Sequence, residues 1–114
     1  GHTVFLTSDH GSTRVTKPVQ IKGDRQTSTG IRFKYGQNIK MPEKSGITIH
    51  NPEKYFLPKH DLNTNYLIAK SGNFLIYPNE YHKFANHYNN SFQHGGISLE
   101  EMVVPIAELK GKNG

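Results

Sequence analysis

The chain has 114 residues, of which 33% are hydrophobic, and 14 Lys and Arg against nine Asp and Glu give a formal net charge of +5. This length and composition predict one domain, or a piece of one, with a thin core, and exclude two independent domains. Because the sequence has no cysteine, disulfide frameworks and thiolate metal sites are excluded, and a metal site would need His and carboxylate ligands.

The sequence shows neither a membrane span nor a signal-peptide pattern. We therefore expect a cytoplasmic protein without a membrane partner. The chain begins with Gly1 rather than an initiator Met, which indicates a piece of a longer protein.

The first predicted element is a strand over residues 3–8 (TVFLTS). This run is apolar and β-branched without alternation, and the polar residues 9–12 end it. Such a pattern is typical of a strand covered on both faces, as in a parallel sheet. We therefore expect residues 3–8 to lie inside the domain.

The middle of the chain, residues 13–92, is rich in Asn, Lys, Gly and Tyr. Short alternating segments predict a small antiparallel sheet with one wet face. The predicted strands are residues 31–35, 46–50, 66–70 and 74–77. The last two flank Ser71-Gly72-Asn73, a connection typical of a hairpin. Residues 80–90 predict a helix with one apolar stripe, formed by Tyr81, Phe84, Ala85 and Tyr88.

The end of the chain predicts a helical turn and a second buried strand. Ser98 is a candidate N-cap for a turn over residues 97–101, with Glu101 three residues further on, as in a capping box. Residues 102–109 are mostly apolar and predict the strand, within which Pro105 suits an edge, a bulge or a strand start.

These elements together predict an α/β fold class. Two strands of one sheet, within residues 1–12 and 93–114, bracket an inserted β-rich cap, residues 13–92, so this chain by itself is mainly β. In open α/β sheets, binding sites form outside the carboxyl ends of the strands. The chain enters and exits the insertion at such a carboxyl end.

Polar residues at the two exits are the candidates for a metal site. Asp9 and His10 end the first strand, and Gly11 lets the backbone make way, so a carboxylate and an imidazole can turn toward one cation. His94 is delivered by the flexible Gly95-Gly96 pair. The alternatives are structural: Asp9 caps a turn, His10 is a partly buried ring, and the glycines form tight turns.

Two segments in this order resemble a known family. Residues 7–11 (TSDHG) and 94–105 (HGGISLEEMVVP) resemble the C-terminal part of a PglZ domain, a branch of the alkaline phosphatase superfamily. Residues 23–25 (GDR) and 31–36 (IRFKYG) resemble more narrowly the PglZ domain of PorX-like two-component response regulators. The resemblance implies that the chain is the C-terminal portion of an alkaline-phosphatase-like α/β/α sandwich with an inserted antiparallel cap.

The resemblance also implies a two-zinc site for phosphoryl transfer. Asp9 and His10 would bind one zinc and His94 the other, since paired metals about 3.5–4 Å apart can stabilise the attacking and leaving oxygens. The Thr or Ser nucleophile and the remaining ligands of the family lie upstream, so no catalytic residue is assigned in this chain, and neither Ser12 nor Thr13 is taken as the nucleophile. We therefore predict that the chain alone binds zinc weakly and hydrolyses nothing.

Basic residues of the insertion are the candidates for substrate contacts. Arg25, Arg32 and Lys34 would bind the phosphate oxygens of a phosphodiester or nucleotide-type substrate; the alternative is a solvated strand face. Glu100 or Glu101 would orient His94 by accepting its other ring proton. Alternatively, these two acids complement the dipole of a short helix.

The implied function is that of a zinc-dependent phosphodiesterase or phosphatase, the output domain of a cytoplasmic response regulator. A signalling protein and a second copy of the parent are its expected protein partners. An alternative is a non-catalytic module that uses the phosphatase scaffold for regulatory protein interactions. A third interpretation, a free-standing basic RNA-binding module, depends only on charge and aromatic content.

Overall fold

The structure is a computed structural model that describes residues 1–23 and 28–112. Its strands are β1 (Thr3–Thr7), β2 (Thr13–Val15), β3 (Lys17–Gln20), β4 (Phe33–Gln37), β5 (Gly46–Ile49), β6 (Thr64–Ala69), β7 (Asn73–Ile76), β8 (Ser91–Gln93) and β9 (Ile106–Lys110). The α-helices are α1 (Tyr81–Tyr88) and α2 (Leu99–Met102), and short 3-10 helices cover Glu43–Ser45 and Pro52–Tyr55. The described chain is mainly β, as predicted. None of the helices within these ranges has the length and hydrophobicity to cross a membrane.

The first and last strands form a two-stranded ribbon. β1 pairs with β9 in antiparallel register, from Thr3 opposite Lys110 to Thr7 opposite Ile106. Both strands are exposed along their whole length, and the Phe5 side chain is 64% exposed. The radius of gyration is 17.8 Å, whereas a compact chain of this length has about 13 Å, so the ribbon extends away from the rest.

The prediction of two buried, parallel-sheet strands is wrong for this chain. The two strands are antiparallel partners, and no layer of the described residues covers their apolar side chains. The second strand also begins at Ile106 instead of residue 102, because α2 continues to Met102 and Pro105 has no N–H to donate to a ladder.

The antiparallel sheet predicted in the middle of the chain is present, with strand order β4-β6-β5. Phe33 lies opposite Ile68, and Gly46 lies opposite Ala69. β4 begins two residues later than predicted. The carbonyl of Ile31 instead accepts a hydrogen bond from the Leu75 N–H at 2.7 Å, which ties this segment to β7.

The hairpin predicted around residues 71–73 is wrong. The turn itself forms, with Ser71 at φ 52° and the Asn73 N–H donating to the Lys70 carbonyl at 3.2 Å. However, β6 already has β4 and β5 on its two edges, so β7 has no free edge of β6 to join. β7 instead pairs in parallel with β3, with Leu75 opposite Val19.

The helix predicted over residues 80–90 is observed as α1, and its apolar stripe faces the core. Tyr81, Phe84 and Tyr88 pack against a buried cluster, and Ala85 is itself buried. The members of this cluster are Val15, Ile31, Phe74 and Ile76. A second cluster lies between the parallel pair and the antiparallel sheet and consists of Val19, Ile21, Ile39, Leu67, Ala69, Leu75 and Tyr77.

A short antiparallel stem, β2 with β8, joins the two ends of the predicted insertion. Thr13 lies opposite Gln93, and Val15 lies opposite Ser91. His10 precedes Thr13 by three residues, and His94 follows Gln93 directly. The stem therefore brings the two candidate ligand segments together, while the division into a core and a cap of residues 13–92 stays a prediction.

Candidate metal centre

Asp9 and His10 lie just beyond the end of β1, and the structure places their side chains next to each other. The Nε2 atom of His10 is 3.5 Å from the Oδ2 atom of Asp9. The Nδ1 atom of His10 lies 2.6 Å from the carbonyl oxygen of Gly11, which can only accept, so Nδ1 is the donor in this contact. Nε2 is the ring nitrogen on the side of the Asp9 carboxylate.

His94 stacks on His10. The ring centroids are 3.6 Å apart and the ring planes differ by 15°. Asp9 and His10, which are consecutive, and His94, which is distant in the sequence, thus occupy one place in the fold.

Gly11 docks the first ligand segment onto α2. Its N–H donates to the Glu101 carbonyl at 2.8 Å. A Cβ atom at position 11 would lie 1.9 Å from the Glu100 carbonyl oxygen. Only glycine permits this backbone-to-backbone approach, so the glycine of the TSDHG segment fits directly against the helix of the HGGISLEE segment.

The two glycines after His94 lie where a larger residue would be strained or crowded. Gly95 has φ +107°, a conformation that strongly favours glycine, and a Cβ there would lie 3.1 Å from the Phe33 ring. A Cβ at Gly96 would lie 2.7 Å from Oε2 of Glu101. The loop that carries His94 is therefore packed tightly against the insertion and α2.

Glu101 is the anchor of this loop. Its Oε1 accepts from the Gly96 N–H at 3.0 Å, and its Oε2 accepts from the N–H and the hydroxyl of Ser98, at 3.0 and 2.6 Å. The bond from the Ser98 N–H completes the predicted capping box at the start of α2. Within the described part of the chain, neither Glu100 nor Glu101 bonds the His94 ring, so Glu101 acts on the loop through Gly96.

Arg32 holds the Glu101 carboxylate from the other side. Its Nε and Nη2 donate to Oε1 and Oε2 at 2.7 and 2.9 Å, and Nη1 donates to the carbonyls of Ser71 and Asn73 at 2.8 and 2.6 Å. The side chain is fully buried. Burial alone would raise the pKa of Glu101, but hydrogen bonds from Arg32, Ser98 and Gly96 outweigh it and lower the pKa to about 2.

Two of the predicted substrate-binding residues, Arg32 and Lys34, are engaged by other groups of the described chain. Arg25 lies outside the described residues. Arg32 is committed to Glu101, and Lys34 is 3% exposed with its ammonium bonded to the Gly30 carbonyl at 2.7 Å. Their substrate roles stay predictions, and the surroundings of Arg32 and Lys34 are those of buried structural cations.

The spacing of Asp9 and His10 fits two ligands on one of the two predicted zinc ions. Two ligands on a tetrahedral zinc with bonds of about 2.0–2.1 Å lie about 3.3 Å apart, close to the 3.5 Å between Asp9 and His10. The ring of His94, the predicted ligand of the other ion, stacks on the ring of His10. Among the described residues no group of three or more His, Cys, Asp or Glu side chains is arranged to hold one ion. Each ion would therefore need ligands from elsewhere.

Comparison with known protein families identifies the family of the chain. The family model described as the BREX system PglZ alkaline phosphatase-like domain matches residues 1–109. The chain belongs to this family. The PglZ match includes both ligand segments and all of the insertion between them. Among curated proteins no match was found.

Membership of the PglZ family confirms the resemblance drawn from residues 7–11 and 94–105. It gives the chain an alkaline-phosphatase-like scaffold, of a phosphatase type. In this PglZ chain the sequence analysis missed the ion pair between Arg32 and Glu101. No local pattern indicates this pair, because a basic residue in a predicted alternating strand ordinarily faces water and Glu101 is 69 residues away.

Proposed function

We propose that the chain is part of a zinc-dependent phosphodiesterase or phosphatase and contributes Asp9, His10 and His94 to a two-zinc centre. The nucleophile and the remaining ligands would come from another part of a longer protein. The proposed substrate is a phosphodiester of nucleotide type. The GDR and IRFKYG segments support a cytoplasmic PorX-like response regulator as that longer protein.

The observation that carries this proposal is the pair of contacts made by the two ring nitrogens of His10. Its Nδ1 is engaged by the Gly11 carbonyl at 2.6 Å, and its Nε2 faces Asp9 at 3.5 Å. A metal-binding imidazole needs its second nitrogen held by an acceptor, which fixes the tautomer and the ring direction. The backbone of Gly11 supplies that acceptor.

The residues of this chain would bind and orient rather than transfer protons. The Asp9 side chain is 86% exposed and that of His10 is 40% exposed, so both can be reached from solvent. Zinc, when bound, would polarise phosphate oxygens and activate the hydroxyl nucleophile. The Gly11 contact with α2 and the Glu101 contact with Gly96 would keep the two ligand segments at a constant separation.

The test measures zinc content and hydrolysis of bis(4-nitrophenyl) phosphate by the longer protein. We expect about two zinc ions per chain and loss of activity in Asp9→Ala and in His94→Ala, each with a reduced zinc content. His82→Ala is the matched control, because His82 is an exposed residue of α1, and it should leave both quantities unchanged. A metal-free, inactive longer protein would contradict the proposal.

A second candidate function, a regulatory interaction module on the same scaffold, is favoured by the β1–β9 ribbon. Phe5 and Ile106, on one face of the ribbon, are 64 and 72% exposed, and Leu6, on the other face, is 55% exposed. Exposed apolar surface of this kind marks interaction sites. The two functions differ in their response to chelation. The interaction module is supported if the longer protein shows no hydrolysis and if its partner binding or self-association persists after zinc is removed by a chelator.

A further inference from the structure

The antiparallel sheet has an uncharged face that points away from the core. Leu67 and Ala69 of β6 belong to the second buried cluster, so the residues that alternate with them point to the opposite face. The register places two rows of side chains on this opposite face: Phe33, Ile68 and Ile47 in the first, and Tyr35, Tyr66 and Ile49 in the second. None of these six described side chains is charged, although the solvent face of an antiparallel sheet is ordinarily polar.

The second row is covered by the segment between β5 and β6. The Tyr66 hydroxyl donates to the Pro58 carbonyl at 2.7 Å. The His60 ring stacks on the Tyr35 ring, with centroids 4.9 Å apart. Tyr66 is accordingly buried. The uncharged character of this row is therefore explained by packing within the chain.

The first row stays accessible and adjoins the candidate metal centre. Phe33 and Ile68 are half-buried and Ile47 is 47% exposed, and we call these three residues the apolar shelf. A Cβ at Gly95 would lie 3.1 Å from the Phe33 ring, so this ring packs against the residue that follows His94. The shelf therefore begins at the loop of a proposed zinc ligand and ends at the edge strand β5.

The apolar shelf has the size of one small flat group. Neighbouring strands lie about 4.8 Å apart and successive rows on one face about 6.8 Å apart, so the shelf measures roughly 10 by 7 Å. A stable protein partner needs about 800 Å² on each side, roughly ten times this area. A single nucleobase matches the shelf, and bases stack on aromatic and apolar side chains without a complementary charge.

We propose that the apolar shelf binds the base of the nucleotide-type substrate while its phosphate lies at the metal centre. The proposal rests on the proposed function, because a phosphodiester held near His94 brings its base within reach of Phe33. The side chains of Phe33, Ile68 and Ile47 carry no hydrogen-bonding group. Binding should therefore depend on the area of the base and not on its identity, so purines should bind more tightly than pyrimidines.

The test compares two substrates with the same leaving group, thymidine 5′-(4-nitrophenyl phosphate) and methyl 4-nitrophenyl phosphate, in hydrolysis by the longer protein. We expect kcat/KM to be about tenfold higher for the thymidine ester, as for one stacked base. Phe33→Leu should reduce this preference to about twofold or less and leave kcat/KM for the methyl ester within about twofold. Phe92→Leu is the matched control, because Phe92 is 69% exposed on β8, and it should leave both values unchanged.

Ile47→Ser is a second variant, chosen because Ile47 lies on the edge strand and away from the contact between Phe33 and Gly95. It should lower kcat/KM about threefold for the thymidine ester alone. Equal kcat/KM for the two esters in the unaltered protein would overturn the shelf while leaving the proposed function intact. Variants that lower both values equally would do the same, since Phe33 would then act only through the His94 loop.

Failure of the proposed function has a different signature, because neither ester would then be hydrolysed. A binding measurement decides the shelf in that case. Titration of chain 1–114 with adenosine 5′-monophosphate should move the methyl NMR signals of Ile47 and Ile68 and leave those of the buried Ile39 in place. Ribose 5-phosphate, which has no base, should move none of them. The same response to both compounds, or no shift at Ile47 and Ile68, would refute the shelf.

Discussion

Replacement of Arg32 by Met tests the ion pair that anchors the His94 loop. The Arg32 side chain is fully buried and donates four hydrogen bonds, two to the Glu101 carboxylate and two to the carbonyls of Ser71 and Asn73. Met fills a similar volume but donates none of them. Glu101, which is 4% exposed, would keep its negative charge without a cation beside it.

The expected loss of unfolding free energy is large for a single substitution. Removal of one partner of a buried ion pair costs about 3–5 kcal/mol. Glu101→Gln leaves the guanidinium unpaired and should cost a similar amount. The double variant Arg32→Met with Glu101→Gln removes both charges, so its cost should fall short of the sum of the single costs by about 2 kcal/mol.

The assay is urea unfolding followed by far-UV circular dichroism, since the chain has no Trp. Arg14→Met is the control. Arg14 is exposed and donates one bond to the Asn90 side chain at 2.9 Å, so its replacement should change the free energy of unfolding by about 0.5 kcal/mol or less. The reasoning is refuted if Arg32→Met costs no more than Arg14→Met, or if the two single costs are simply additive in the double variant.

Three further predictions follow from the contacts around the loop. The pKa of Glu101 is about 2 in the folded chain against 4.5 ordinarily, so its stabilisation, about 3 kcal/mol, is present above pH 4.5 and lost as the pH falls toward 2. The free energy of unfolding of Glu101→Gln should therefore decrease less than that of the unaltered chain between pH 4.5 and 2. Gly96→Ala should displace the Glu101 carboxylate, cost about 2 kcal/mol and accelerate hydrogen exchange of the Ser98 amide. Gly11→Ala should separate the β1 end from α2 and move the His10 and His94 ring-proton NMR signals, whereas Gly1→Ala, which has nothing within 4 Å, should not.

Local sequence patterns predicted the elements that depend on local chemistry. The apolar stripe of α1, the Ser98 cap and the alternating strands of the β4-β6-β5 sheet follow from the spacing of side chains along the chain. The pairing of β7 with β3 could not be predicted in this way. It depends on which edges of β6 are already occupied, and Ser71-Gly72-Asn73 forms the same kind of turn whether or not the flanking strands pair.

The candidate site divides along similar lines. The choice of Asp9, His10 and His94 as candidate ligands depends on the family resemblance of two short segments, because the residues alone also allow structural roles. The ion-pair partner of Glu101 could not be predicted from the sequence. Arg32 is 69 residues away, and a basic residue in an alternating strand ordinarily faces water. Only the packing of the insertion against the His94 loop shows that this Arg points inward.

The β2–β8 stem has a consequence for how such a chain can change. Because Thr13 and Gln93 are paired across the two strands of the stem, the distance between the two ligand segments does not depend on the chain segment that connects them. The length and shape of the intervening excursion could therefore vary, or be replaced by a short reverse turn, with both ends still delivered to the same place. Such a replacement would remove Arg32, the cation that neutralises Glu101. A shortened chain would then need an uncharged hydrogen-bond acceptor at position 101 to keep the Gly96 amide in place.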